Sequence, residues 1–290
     1  MTNLKSITVI AAILPAITLT AQDNILPYNP ETSKTYISTN YFGPNAFPVP
    51  DMSKNTTGKL EARVNATGAK GTLGDNTVSA DFSVRVPLWS ERVNISVWGQ
   101  MHEWYWDTEE VRTIRRVAKS EPLVGHGYGD IYFSVDMKIL TETKVRPRIV
   151  LRAACKTASG GQYTRARFYD CPGYFFDVCP AKDFALGRNV SLTAALSAGF
   201  LCWQVDNGRQ NDAVMYGASL GVNCPYFTFN VDYGGYCGWK NEGDRPMTLK
   251  LMTEIFPEKT VSAFLQYEHG FIDWPFDQLK AGVKVSLKIL

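Results

Sequence analysis

Charged side chains that recur at every second position are the residues of this sequence best placed to do chemistry. Between residues 131 and 139, apolar residues alternate with Tyr132, Ser134, Asp136 and Lys138. Successive side chains of a β-strand point to opposite faces, so this pattern predicts a strand with one apolar and one charged face. Charges of both signs on one face must pair with each other or meet water, because an unpaired charge is too costly in a dry interior.

Eight charged residues of this kind are predicted to line a common wall. Two interpretations fit them: a closed ladder of ion pairs that only holds the molecule together, or a hydrated passage whose wall polarises a solute. Asp136 and Arg152 fall on neighbouring predicted strands, where opposite charges attract each other. The predicted wall residues are Asp81, Arg85, Asp136, Lys138, Arg148, Arg152, Lys156 and Glu268.

The three histidines give little support to a catalytic site. A hydrolase embedded in a membrane would need a nucleophile within hydrogen-bond reach of its base. No serine adjoins His126, and His269 follows Glu268 near the end of a predicted strand. The sequence also lacks a P-loop, a dinucleotide fingerprint, an H-E-x-x-H motif and EF-hand spacing. We predict a protein that is not an enzyme and has no metal or cofactor, with the embedded hydrolase as a less favoured alternative.

Six cysteines raise the question of disulfides or a metal site. Their spacing contains no C-x-x-C, so a zinc site is not expected. We predict at most two disulfides, with Cys171 joined to Cys155 or Cys202, and free thiols as the alternative. Cys224 falls in a predicted turn at the opposite end of the strands, beyond the reach of a disulfide to these residues.

The composition limits the class of protein that positions these residues. The chain has 290 residues, of which 45% are hydrophobic, so it is not disordered. Its 30 Lys and Arg residues nearly balance 28 Asp and Glu residues, which disfavours a nucleic-acid partner. A mean hydropathy of −0.16 argues against a bundle of membrane helices but is compatible with a membrane β-barrel, whose inner face is polar.

The beginning of the chain has the pattern of an export signal. Lys5 precedes an apolar run over 7–17, and Ala21 is a small residue before the expected cleavage site. The apolar run is shorter than the ~20 residues needed to span a bilayer, which makes a membrane anchor the weaker alternative. We therefore predict a signal peptide over 1–21. Residues 22–57, rich in proline and aromatic residues, are predicted to form a periplasmic segment that serves either as a linker or as a plug.

Residues 58–290 are predicted to form a single antiparallel transmembrane β-barrel of about twelve strands. Short turns alternate with longer connections, notably 107–128 and 158–171, as in outer-membrane barrels with short periplasmic turns. A soluble β-sandwich is the alternative, but strands of ten or more residues exceed the usual globular length. Four tyrosines are predicted on the outer face near the extracellular ends of their strands: Tyr105, Tyr174, Tyr233 and Tyr267. The predicted strands are 58–68, 76–87, 93–106, 129–141, 147–157, 172–184, 189–203, 212–223, 226–239, 246–255, 260–271 and 278–290.

One predicted hairpin resembles a known family. Gly-Tyr-Gly-Asp-Ile over 127–131, Lys138, Arg-Pro-Arg over 146–148 and Lys156 are similar to motifs of the outer-membrane channel family named for meta-pathway phenol degradation. The likeness covers 127–160 and departs from the family after the lysine, where Leu-Pro-Thr-Gly is usual and Thr-Ala-Ser-Gly stands here. It implies a barrel of twelve or so strands that passes small, often hydrophobic molecules.

These observations predict an exported protein of the bacterial outer membrane, in contact with outer-membrane lipid. Its predicted function is the passive passage or binding of a small solute through a charged lumen. A closed structural or adhesive barrel is the main alternative to this function. The oligomeric state and the identity of the solute do not follow from the sequence.

Overall fold

The alternation of apolar and polar residues produces long strands that pair in sequence order. A computed structural model describes residues 41–205, 209–239 and 243–289 of the chain. One helix, α1 (Glu109–Ile114), interrupts the strands. The strands are β1 Lys59–Gly71, β2 Asn76–Leu88, β3 Ser90–Trp106, β4 Val124–Gly127, β5 Ile131–Leu140, β6 Arg148–Lys156, β7 Gly173–Ala185, β8 Ser191–Val205, β9 Arg209–Asn223, β10 Phe227–Gly238, β11 Met247–Ile255, β12 Val261–Ile272 and β13 Phe276–Lys288.

The sheet closes on itself because its first strand pairs with both the second and the last. The β1–β13 ladder runs from Lys59 opposite Lys288 to Gly71 opposite Phe276, and β1 also pairs with β2. The short strand β4 pairs with the upper part of β3, and β5 pairs with the lower part of the same strand. Because β4 and β5 occupy one position in the sheet, β4 does not count as a separate strand of the barrel. The predicted closed antiparallel barrel of twelve strands is therefore confirmed.

The apolar face of the barrel points outwards. Val214 and Leu265 are 52% and 45% exposed, whereas Asp136 and Lys284 are only 2% and 6% exposed. A soluble sandwich would bury its apolar side chains and expose its charges. The observed polarity is the reverse, as in barrels whose outer face meets lipid and whose interior is polar.

The two ends of the barrel differ in the length of their connections. At the turn end, the chain passes between strands through the short connections 141–147, 186–190, 224–226 and 256–260. At the loop end, 107–123 contains α1 and 157–172 contains a short 3-10 turn. Thr108 caps α1 by accepting the amide of Val111 at 3.2 Å. No helix in the described part of the chain is long and apolar enough to cross a membrane.

A bulge in β3 overturns one predicted orientation. The register between β2 and β3 shifts so that Ala80 opposes His102 while Asp81 opposes Gln100. The extra residue reverses which side chains face inwards above this point. Tyr105, predicted on the outer face, is therefore fully buried inside, as is Glu103. Trp104 and Trp106 take the outward positions instead, together with the predicted outward tyrosines Tyr174, Tyr233 and Tyr267.

Residues 41–57, here called the thread, run through the inside of the barrel. At the loop end, Trp274 donates to the Pro44 carbonyl at 3.2 Å. Midway, the Lys250 ammonium donates to the Val49 carbonyl at 2.8 Å. At the turn end, the Thr57 amide donates to Oδ1 of Asn94 at 2.8 Å.

Of the two forms predicted for 22–57, a linker or a plug, the course of the thread resembles the plug, because Phe42, Phe47 and Val49 bury their apolar side chains in the barrel core. The cellular location of 22–57 stays a prediction. The predicted signal peptide over 1–21 and residues 22–40 lie outside the described residues.

Candidate functional site

Aromatic side chains pack around the thread in the loop-end half of the lumen. The ring of Phe47 lies 5.6 Å from that of Trp203 and 6.0 Å from that of Tyr169. Tyr236 donates to the Phe47 carbonyl at 3.3 Å and accepts the indole N–H of Trp203 at the same distance. These contacts fix the position of Phe47, and therefore of this part of the thread, against the barrel wall.

Below this packing, a cavity of about 240 Å³ lies between the thread and the barrel wall. Charged, polar and aromatic side chains line it from β1, β2, β3, β5, β6, β7, β8, β12 and β13. Its charged members are Asp51, Glu61, Arg63, Asp81, Arg85, Asp136, Arg152 and Lys280. A polar space of this kind can hold ordered water or a polar solute.

Four of the eight predicted wall residues line this cavity: Asp81, Arg85, Asp136 and Arg152. The predicted pairing of Asp136 with Arg152 is correct in register, because they are direct partners on β5 and β6. Their side chains, however, bind elsewhere. The Arg152 guanidinium pairs with Asp177 on β7, and Asp136 accepts the Ser53 hydroxyl of the thread at 2.6 Å.

The other four predicted wall residues lie outside the cavity. Arg148 binds Glu142 at 2.6 Å near the turn end, and Lys156 binds Asp130 at 2.6 Å near the loop end. Glu268 lies 3.5 Å from Lys250. Lys138 is half-buried on β5 and has no ion pair among the described residues. The structure therefore distributes the predicted wall over the whole height of the barrel.

Sequence reasoning missed part of the cavity wall. Lys280 lies on β13 two residues from Gly282 and four from Lys284, on the same face. The alternation in this strand could have revealed it. The aromatic wall formed by Trp98 and Tyr132 could not be predicted as a unit, because it depends on the pairing of β3 with β5.

A buried group of charges lies at the loop end of the barrel. Arg167, from the 157–172 loop, binds Asp75 at 2.8 Å and Glu103 at 2.9 Å. Arg115, which follows α1, also binds Asp75, at 2.5 Å. Both guanidiniums lie near Asp107, at 3.4 and 3.5 Å. We call these five residues the loop-end cluster.

The loop-end cluster also holds the thread in place. Arg115 donates to the Phe42 carbonyl at 2.8 Å, and the Asn45 amide donates to Glu103 at 3.2 Å. The Gly43 amide donates to the Ala166 carbonyl at 3.0 Å. One set of interactions therefore joins α1, the 157–172 loop and the start of the thread.

The loop-end cluster contains three carboxylates and only two guanidiniums, and this imbalance affects the pKa of Asp107. Burial raises the pKa of Asp107 to about 6, with the neighbouring Asp75 carboxylate acting in the same direction. In an unfolded chain the pKa of an aspartate is about 3.9. Because the folded state holds the proton more tightly, this group stabilises the fold below about pH 4, and that contribution is lost as the pH rises through 6.

We expect the raised pKa of Asp107 to produce a measurable pH dependence of the stability of the fold. Lowering the pH from 7.5 to 5 should stabilise the fold by about 1.4 kcal/mol and thereby raise the thermal unfolding midpoint in detergent. Asp107→Asn should be at least as stable as wild type at pH 7.5 and should lose this rise. Glu109→Gln, which changes an exposed carboxylate in the same loop, should keep it. A rise of equal size in Asp107→Asn would contradict the assignment.

All six cysteines are free thiols in the structure. The predicted disulfide through Cys171 is therefore wrong. Cys171 is buried at the loop end, whereas Cys155 is exposed on the outer face of β6. Burial raises the pKa of the Cys171 thiol to about 12, which makes this thiol a weak nucleophile at neutral pH.

The three histidines lie near the loop end of the barrel. His269 lies 2.7 Å from an oxygen of Asp277. The rings of His102 and His126 are 5.1 Å apart. Within the described part of the chain, no serine or threonine hydroxyl forms a hydrogen bond to a histidine ring. The geometry offers no support for the hydrolase alternative.

Comparison with known proteins identifies the fold. No family model and no curated protein matches the sequence. An outer membrane channel from Pseudomonas putida F1 superimposes with a TM-score of 0.56 at 10% identity, over 82% of this chain and 100% of that one. The NanC porin gives 0.48 at 11% identity, over 79% and 100% of the two chains. The KdgM porin gives 0.46 at 7% identity, over 78% and 99%. The closed barrel and its likeness to the Pseudomonas putida channel show the fold of outer-membrane β-barrels. The resemblance to the phenol-degradation family stays a prediction.

Proposed function

We propose that the protein is a bacterial outer-membrane channel that passes a small solute through a lumen narrowed by the thread. Its outer face is apolar and suited to lipid, and its interior is polar and charged. The short connections would face the periplasm and the long loops the outside. In this arrangement, residue 57 lies at the periplasmic end and the thread reaches up to the extracellular end.

The observation that carries the proposal is the cavity beside the thread. A barrel of purely structural purpose would pair its inner charges and leave little polar space. Here about 240 Å³ remains between charged side chains at the level of Asp81 and Asp136. The loop-end cluster and the aromatic packing around Phe47 narrow the lumen above this space.

A closed structural barrel is the second candidate, and the ion pairs across the lumen favour it. Lys250 bridges Asp51 of the thread and Glu268 of β12. Lys54 of the thread binds Asp232 of β10 at 2.5 Å. These pairs fasten the thread to the wall and would resist its displacement.

Solute flux separates the two candidates. We expect liposomes that contain the refolded full chain to pass solutes of single-ring size and to exclude a disaccharide, because the free space is small. Before each assay, a shift in gel mobility on boiling should show that the barrel is folded. A folded protein that passes neither solute would contradict the channel and favour the structural barrel.

A further inference from the structure

Within the described structure, the cavity beside the thread contains two cations without a carboxylate in direct contact, although Lys280 attracts the Asp51 carboxylate from a longer distance. Arg63 on β1 and Lys280 on β13 both line it. Among the described residues, neither forms an ion pair. The Arg63 guanidinium lies 5.6 Å above the ring of Phe264, an apolar support that leaves its N–H donors unoccupied.

The carboxylates of the same cavity already have partners. Asp81 accepts hydrogen bonds from Asn65 at 2.7 Å and from Ser79 at 2.8 Å. Asp136 accepts the Ser53 hydroxyl. Of the remaining two carboxylates, Asp51 pairs with Lys250 at 2.6 Å, and Glu61 lies 3.9 Å from Arg85 and 4.0 Å from Lys284. The four carboxylates are therefore engaged, whereas one neutral acceptor of the cavity, the buried Oε1 atom of Gln100, has no hydrogen-bond partner within the described structure.

Two neutral donors accompany the donors of Arg63 and Lys280. The Nε2 atom of Gln266 and the hydroxyl of Tyr132 have no hydrogen-bond partner within the described structure. Both residues line the cavity and are only 9% and 2% exposed. Gln266 lies directly opposite Lys280 in the β12–β13 ladder. Buried donors without partners are costly, so a site that leaves several of them free is complementary to an acceptor.

The wall next to Arg63 is flat and aromatic. Trp98 and Tyr132 stack with ring centroids 5.3 Å apart and planes inclined by 14°. Trp98 and Arg63 both oppose Ser83, on either side of β2. One row across neighbouring strands therefore carries a free guanidinium and an aromatic surface.

We propose that the cavity binds a small organic carboxylate with a planar apolar body. Arg63 and Lys280 hold the carboxylate, with Gln266 as a further donor, and the ring rests against Trp98 and Tyr132. The volume of about 240 Å³ is below the range of about 300–1,000 Å³ usual for drug-sized ligands, which fits a molecule with a single ring. The role of this carboxylate as the transported solute rests on the proposed channel.

Direct binding tests the site without relying on transport. Calorimetry on the full chain in detergent should show binding of benzoate, with benzamide and benzylamine at least ten times weaker, because they lack the negative charge. Arg63→Gln and Lys280→Gln should each weaken benzoate about tenfold, since a hydrogen bond to a charged group contributes about that much. Lys259→Gln, with the same loss of charge in a turn outside the cavity, should bind like wild type.

Flux measurements in liposomes separate failure of the site from failure of the channel. Benzoate that binds and also enters faster than benzamide supports both proposals. Binding without flux of any solute would overturn the channel and leave the carboxylate site. Equal binding of benzoate and benzamide, or unchanged binding in both glutamine variants, would overturn the carboxylate site, whatever the flux.

Discussion

Deletion of residues 24–57 is expected to increase the conductance of the barrel in planar bilayers severalfold. The deletion removes the thread, which runs from Trp274 at the loop end to Asn94 at the turn end. The wall left behind is polar and charged, and water can hydrate it once the space opens. A barrel of twelve strands without a plug should then behave as a wider pore.

The same deletion should weaken the barrel without unfolding it. Phe42, Phe47 and Val49 each lose a buried position, at a cost of about 1.5–3 kcal/mol per side chain. The β1–β13 ladder, which closes the barrel, does not involve the thread. Unboiled and boiled samples should therefore still differ in gel mobility.

A second variant tests whether the conductance depends on the packing of the thread or only on the presence of a chain segment in the lumen. Replacement of 41–57 by a glycine-serine segment of equal length keeps chain in the lumen but removes its anchors to Lys250 and Asp136. We expect a noisy current above the wild-type level, because the flexible segment moves. Met52→Leu, a substitution of similar volume, should conduct like wild type. Unchanged current in both the deleted and the replaced variants, with intact barrels, would contradict the narrowing role of the thread.

The strands were predictable because an apolar outer face and a charged inner face impose a strict period of two. In β5, for example, Asp136 faces in and Met137 faces out, as the alternation requires. The orientation of Tyr105 was not predictable, because one bulged residue in β3 reverses the faces above it. The alternation of residue types within β3 does not show where the extra residue lies. Its position becomes visible only in the pairing of β3 with β2.

The interior of the site was less predictable than the wall that carries it. The ion-pair partner of Arg152 depends on the thread. Ser53 of the thread donates a hydrogen bond to Asp136, and Arg152 forms its ion pair with Asp177 instead. The sequence of the thread shows only a cluster of proline and aromatic residues. Its path through the lumen results from burial of Phe47 against Trp203 and Tyr169, residues from distant parts of the chain.

Replacement of Arg167 by leucine is expected to produce the largest loss of stability of any single substitution proposed for this protein. The Arg167 side chain is fully buried and pairs with three carboxylates, and its guanidinium lies 4.5 Å from the ring centre of Tyr105. Removal of one partner leaves the other charges buried and poorly compensated, at a cost of about 3–5 kcal/mol. A marked fall in the thermal unfolding midpoint should result.

A matched control is available two residues away. Arg165 donates to Glu121 at 2.8 Å, but both side chains are about a quarter exposed. Arg165→Leu should cost about 1–2 kcal/mol, because its partly exposed ion pair contributes little and the hydrogen bond that Arg165 donates to the Tyr105 hydroxyl at 3.0 Å contributes about 1 kcal/mol. Arg167→Lys should fall between the two, since lysine keeps the charge but loses the planar fork that contacts Asp75 and Glu103 together.

The loss should be traceable to uncompensated charge and not to packing alone. The double variant Arg167→Leu with Glu103→Gln removes one of the carboxylates that lose their partner. Its thermal unfolding midpoint should therefore be higher than that of Arg167→Leu alone. Release of the 157–172 loop should also free the start of the thread, because Gly43 packs against the guanidinium so closely that a Cβ there would lie 2.8 Å from it. Protease cleavage in 157–172 should therefore become faster in Arg167→Leu than in Arg165→Leu. Equal midpoints and equal cleavage rates in these two variants would show that the loop-end cluster does not hold the loops and the thread together.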